Sequence, residues 1–150
     1  YLLEKNISLI EYAAFSGSLE IMKYLFHQSI VLSPNLWMLS IHGQNSELIH
    51  LLEENSIKPN SELYSQSFYE AIKCFHNDLA IYIENNFIQP NQLDDIQILS
   101  HGINSFNFAF FNTDIEFNSD IFYDLCNNGY YFYVESIINN SNIDINSKRI

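Results

Sequence analysis

The feature that most narrows the choice of fold is that the chain repeats itself. Residues 13 to 26 (Ala-Ala-Phe-Ser-Gly-Ser-Leu-Glu-Ile-Met-Lys-Tyr-Leu-Phe) and 40 to 53 (Ser-Ile-His-Gly-Gln-Asn-Ser-Glu-Leu-Ile-His-Leu-Leu-Glu) share one plan. A small residue leads into a polar turn, and an acidic residue then opens an apolar helical segment. A period of about 20 to 50 residues is the signature of stacked arrays, in which no unit buries its own apolar face. With Ala13 as anchor, equivalent positions fall at Ser40, Ala71 and Leu125, spaced by 27, 31 and 54 residues. The last spacing is twice the first and implies a concealed unit. His101-Gly102-x-Asn104-Ser105 repeats His42-Gly43-x-Asn45-Ser46, which puts the concealed anchor at Leu99. In that register Ile96 takes the large apolar first-helix position of Ile10, Trp37, Phe68 and Phe122. Phe108, Phe110 and Phe111 then take the second-helix positions of Ile49, Leu51 and Leu52. Alternation over residues 106 to 111 would by itself suggest a strand; the register favours a helix, so residues 94 to 111 are expected to form a helix pair.

The run Ala13-Ala14-x-x-Gly17-x-Leu19-Glu20-Ile21-x-Lys23-x-Leu25 resembles the ankyrin repeat almost residue for residue. In that family the small pair lets two helices approach closely, glycine supplies a left-handed turn, and the acidic residue sits in the first turn of helix two. The resemblance implies an all-α fold: an ankyrin-type helix-turn-helix repeat solenoid of about five units, truncated at both ends, forming one repeat domain over 1–150. The units lie near 8–30, 34–57, 65–87, 94–112 and 120–141. Tyr1 to Ile7 match the tail of a second helix, and Ile143-Asp144-Ile145-Asn146 resembles the inter-repeat signature. The Thr-Pro-Leu-His opening of a well-kept repeat is replaced by Ser8-Leu9-Ile10-Glu11, Asn35-Leu36-Trp37-Met38, Gln66-Ser67-Phe68-Tyr69 and Asp120-Ile121-Phe122-Tyr123. Ser8, Asn35 and Asp120 remain as candidate helix N-caps. Spacings below the family's usual length imply that most β-hairpin fingers are reduced to turns. The chain is similar to the degenerate Asn- and Ile-rich ankyrin arrays found in some protists.

Charge narrows the partners. Acidic residues outnumber basic ones 18 to 6, a formal net charge of −12 that repels phosphates, so nucleic acid is not expected. No apolar run reaches the roughly 18 residues of a membrane helix, so no membrane insertion is expected. The chain opens at Tyr1 without an initiator Met, and a targeting segment upstream of it would not be seen. Cys74 and Cys126 form no CxxC pair, which fits a reducing, intracellular and cytoplasmic setting better than a secreted one.

Nothing in the sequence frames a catalytic centre, and the chain is not expected to be an enzyme. The motifs GxSxG, HExxH, GxxxxGK[ST] and GxGxxG are all missing. His27, His42, His50, His76 and His101 are spread over four units, with no pair at i, i+4. Cys74-x-His76 offers two ligands with nothing in sequence reach to complete four, so neither metal nor cofactor is expected. Asp94-Asp95 and Glu53-Glu54 read as helix-start and solvated-face charges. Trp37 shares its slot with Ile10, Phe68 and Phe122, which makes it a core residue. The sequons Asn6-Ile7-Ser8 and Asn139-Asn140-Ser141 are no more than a chain this rich in Asn and Ser produces.

The resemblance implies recognition of a protein partner on the concave face made by the first helices and the turns, with no small-molecule substrate. Two positions per unit should face that groove, one before the anchor and one two places after it. They are Tyr12 and Phe15, Leu39 and His42, Glu70 and Lys73, and Asp124 and Asn127. Two other roles stay open at this level: a structural spacer, or an accessory domain of a larger protein whose enzymatic part lies elsewhere.

Overall fold

The computed structural model describes residues 7–28, 30–110 and 119–140, and among them the regular structure is entirely helical, as an all-α fold requires. The helices are α1 (Leu9–Phe15), α2 (Leu19–Phe26), α3 (Leu36–His42), α4 (Ser46–Glu54), α5 (Ser61–Lys73), α6 (Asn77–Phe87), α7 (Asp95–Ser105), α8 (Ser119–Asn127) and α9 (Tyr131–Asn140). A single 3-10 turn covers Phe108–Phe110. The chain divides into two compact units, residues 1–92 and 93–150. Apart from Ile7, the partial repeats expected at the two ends lie outside the described residues.

In the first unit α1 pairs with α2, α3 with α4, and α5 with α6, while α3 packs against both α1 and α5. Three helix hairpins thus stand side by side, first helix against first helix. Each first helix buries residues three and four apart, which share one helical face: Ile10, Ala13 and Ala14; Leu36, Trp37, Ser40 and Ile41; Phe68, Ala71 and Ile72. The second helices contribute Met22, Leu25, Leu48, Ile49, Leu52, Ala80 and Ile83.

Each hairpin turns through one residue in the left-handed region: Gly17 (φ 72°), Gln44 (φ 53°) and Phe75 (φ 62°). Ser18 N–H then donates to the Ala13 carbonyl, and His76 N–H to that of Ala71, each at 2.9 Å. These are the six-to-one bonds that satisfy a helix's last carbonyls. Ser8 begins α1 with a capping box, its side chain accepting from Glu11 N–H while Glu11 reaches back to Ser8 N–H. Asn35 precedes α3 but makes no side-chain capping bond. Asp120 lies inside α8 rather than ahead of it. α5 starts near Ser61, four residues earlier than the expected unit at 65, because Asn60 caps it by accepting from Leu63 N–H at 2.8 Å.

The second unit is held by Leu99, Ile103, Ile121, Leu125 and Ile137, with Phe122, Tyr130, Tyr133 and Val134 packed against them. Its register corrects the sequence reading. Asn107 N–H donates to the Gly102 carbonyl and Tyr130 N–H to that of Leu125, again at 2.9 Å each, with Phe106 (φ 64°) and Gly129 (φ 73°) left-handed between them. By the criterion that marks Ala13 and Ala71, the concealed anchor is Gly102 and not Leu99. The shift of three explains why Ile96 is 36% exposed while Leu99 is 1% exposed: Leu99 holds the slot of Ile10, Trp37 and Phe68. Beyond the turn the described residues give one 3-10 turn instead of a second α-helix, and Phe111 lies outside them. Phe108 stacks on Tyr133 with ring centroids 5.0 Å apart.

Candidate functional site

The C-terminal ends of α1, α3 and α5 bring four of the sequence-selected residues into one line. The Phe15 ring stacks on the His42 ring, with centroids 5.0 Å apart and planes 26° from parallel. On its other side His42 Nε2 lies 2.9 Å from Glu70 Oε1. An ionised carboxylate can only accept, so Nε2 is the donor there. Lys73 Nζ donates to Glu70 Oε2 at 3.3 Å, closing the line one turn along α5. The His42 and Glu70 side chains are 23% and 14% exposed, sheltered enough to be held in place and open enough to be reached.

Tyr12 stands on α1 and is 54% exposed. Leu39, expected to face the groove, is instead a core residue at 6% exposure. α3, which carries Leu39, packs against α1 on one flank and α5 on the other. In the second unit Asp124 is half-buried and accepts from Ser100 Oγ at 2.8 Å, whereas Asn127 is exposed.

Cys74, which the sequence sets two residues from His76, meets His42 in the structure. Its Sγ lies 3.6 Å from His42 Nδ1 and 4.0 Å from Nε2. His76 sits at the start of α6 without a side-chain capping bond. Burial, and then the neighbouring His42, lower the pKa of His76. Burial raises that of the Cys74 thiol, and the Glu70 carboxylate adds to the rise. The sequence signal for this grouping is Glu70-x-x-x-Cys74, which puts two ligand-type side chains at i, i+4 on one helical face. A second polar link joins the second helices, where His50 Nδ1 lies 2.9 Å from Glu53 Oε2 and Tyr82 donates to Glu53 Oε1 at 3.0 Å. Burial, then hydrogen bonding to the Glu53 carboxylate, raises the Tyr82 pKa.

The arrangement suits two kinds of chemistry. Its ring face and alternating charges offer a partner directional contacts, and its imidazole, carboxylate and thiol converge within 4.8 Å. No helix among the described residues is long and apolar enough to cross a membrane. Compared with protein-family models, with curated proteins and with solved structures, the chain matches none.

Proposed function

We propose that this chain is a protein-binding module, an ankyrin-like array of helix hairpins that holds a protein partner along the ends of its first helices. The observation carrying this reading is the line Phe15–His42–Glu70–Lys73, which takes one or two residues from each of three successive hairpins. A surface assembled from several units presents a rigid, extended contact, which is what repeat arrays use for recognition. Tyr12 adds an exposed aromatic of the type that dominates binding hot spots. Asp124 and Asn127 hold the same register positions in the second unit, and Leu39 has no part in the surface. With a net charge of −12 the favoured partner carries a basic patch, and their association slows as salt rises.

The test compares capture of partners from the source cells by the unmodified chain and by Tyr12→Ala, Phe15→Ala and Lys73→Ala. At least one of these should weaken capture by more than about 1 kcal/mol, as hot-spot truncations do, while the melting temperature stays nearly unchanged. Ala14→Leu, which overpacks a fully buried site, should cost about 1 to 3 kcal/mol of stability and lose binding only in step with unfolding. A partner retained undiminished by all three surface variants would overturn the proposal.

A further inference from the structure

The geometry points to a divalent-metal site, matched to zinc, formed by His42 Nε2, Glu70 Oε1 and Cys74 Sγ across the second and third hairpins. This assignment does not depend on the partner-binding reading. The ligand atoms lie within 4.8 Å of one another. Tetrahedral zinc, with bonds of about 2.0 Å to nitrogen or oxygen and about 2.3 Å to sulfur, sets neighbouring ligand atoms roughly 3.3 to 3.6 Å apart. The His42–Glu70 separation of 2.9 Å and the Nε2–Sγ separation of 4.0 Å bracket that range. Sγ lies nearer Nδ1, at 3.6 Å, than Nε2, so the imidazole turns to aim Nε2 between Glu70 and Cys74 when all three meet one ion.

Ligand chemistry selects the ion. Imidazole and thiolate donors favour borderline transition ions such as zinc over magnesium or calcium, which take oxygen. Glu70 and Cys74 lie one turn apart at the end of α5, and His42 ends the neighbouring α3. Lys73 contacts Oε2, so an ion takes the place of the His42 bond on Oε1. Three protein ligands leave a fourth position for water.

Charge balance fits as well. When a dication binds, the Cys74 S–H bond breaks, its electron pair goes to the metal as a sulfur–metal bond, and one proton leaves to solvent. The Nε2 proton of His42 shifts to Nδ1 by exchange with water, which frees the Nε2 lone pair at no net proton cost. Carboxylate and thiolate together then neutralise the two positive charges.

Titration of the chain with cobalt(II), a spectroscopic stand-in for zinc, tests this. One equivalent should produce a thiolate-to-cobalt charge-transfer band in the near ultraviolet and the strong visible bands of a tetrahedral ion, both displaced by zinc. Zinc should also raise the melting temperature, because it binds the folded state and ties α3 to α5. Cys74→Ser should abolish the charge-transfer band, and His42→Gln and Glu70→Gln should each weaken binding by at least about tenfold. Cys126→Ser, at an exposed thiol, should change nothing. His42→Cys supplies a thiolate in place of the imidazole and should keep binding with a stronger charge-transfer band, which separates ligand loss from damage to the fold. A chain that gives no such band with millimolar cobalt, or one whose band survives Cys74→Ser, would overturn the assignment.

Discussion

A methyl group added at Gly43 would lie 2.6 Å from the Gly17 Cα and 2.7 Å from the Ala14 carbonyl oxygen, so two hairpin turns meet there with no room for a side chain. The backbone of Gly43 is ordinary helix (φ −67°), and alanine would be conformationally acceptable. Gly43→Ala should therefore destabilise by contact alone, at about 1 to 3 kcal/mol. Gly129 is the opposite case: its φ is +73° and nothing lies within 4 Å of an added methyl, so Gly129→Ala should cost only the left-handed strain, about 1 kcal/mol. Urea unfolding of the two variants would separate the causes, and Gly129→Asn should recover most of the loss only at the second position. Glu11 offers a pH handle on the same scale. Hydrogen bonds from the Ser8 side chain, then the Ser8 backbone, lower its pKa. A carboxylate lowered on folding adds stability above its ordinary pKa, and the gain disappears as pH falls through the lowered, folded value. Glu11→Gln should consequently reduce the melting temperature at neutral pH, and the difference from the parent should close in acid. A constant offset at every pH would assign the effect to packing instead.

At the scale of elements, the hairpins of the first unit were legible because two periodicities agree: apolar residues three and four apart within each helix, and a small anchor recurring between units. Ala13, Ser40 and Ala71 are all buried where the anchor was placed. The same alignment failed in the second unit through a chance identity. His42-Gly43 ends a helix at the turn, whereas His101-Gly102 lies inside α7, where a methyl on Gly102 would lie 2.7 Å from the Asn107 carbonyl oxygen. Glycine serves both places for want of a side chain, so sequence identity there could not tell a turn from a helix interior. The meeting of Cys74 with His42 is not legible for a related reason: the two are 32 residues apart, and only packing of α3 on α5 brings them together. Trp37 was placed correctly in the core, but its bond was not foreseeable. Its Nε1–H donates to the Ile57 carbonyl at 2.8 Å, beyond α4, and its ring meets Tyr64 and Phe87 edge-on at 5.3 and 5.2 Å. The side chain thus ties α3 to both helices of the next hairpin. Trp37→Phe should keep most of the apolar contact while leaving a buried carbonyl unpaired, at about 1 to 3 kcal/mol. Chemical denaturation followed by circular dichroism measures it; an unchanged midpoint would mean that water satisfies the Ile57 oxygen.

For the whole molecule, the division at residues 92 and 93 sets how the chain unfolds. A repeat array gains stability from interfaces between neighbours, and about three units are needed before those gains exceed the cost of ordering the chain. Residues 1–92 contain three complete hairpins, with first helices packed in series and Trp37, Phe68 and Met22 essentially closed to solvent. Among the described residues of 93–150 the buried cluster is five aliphatic residues, with Phe122, Tyr130, Tyr133 and Val134 packed against it. A single small core in fewer than about 70 residues seldom supplies more than 3 to 5 kcal/mol. Residues 1–92 expressed alone should therefore fold, giving a helical circular dichroism spectrum and one cooperative melt, whereas residues 93–150 alone should be marginal and melt broadly. In the intact chain, calorimetry should resolve a weaker transition ahead of a stronger one, and Trp37 fluorescence should follow only the second. Leu125→Ala, at a fully buried site of the small cluster, should lower the first transition and leave the second in place. One sharp transition moved as a whole by Leu125→Ala would show instead that the two units unfold as one cooperative body, and residues 1–92 would then owe their stability to the rest of the chain.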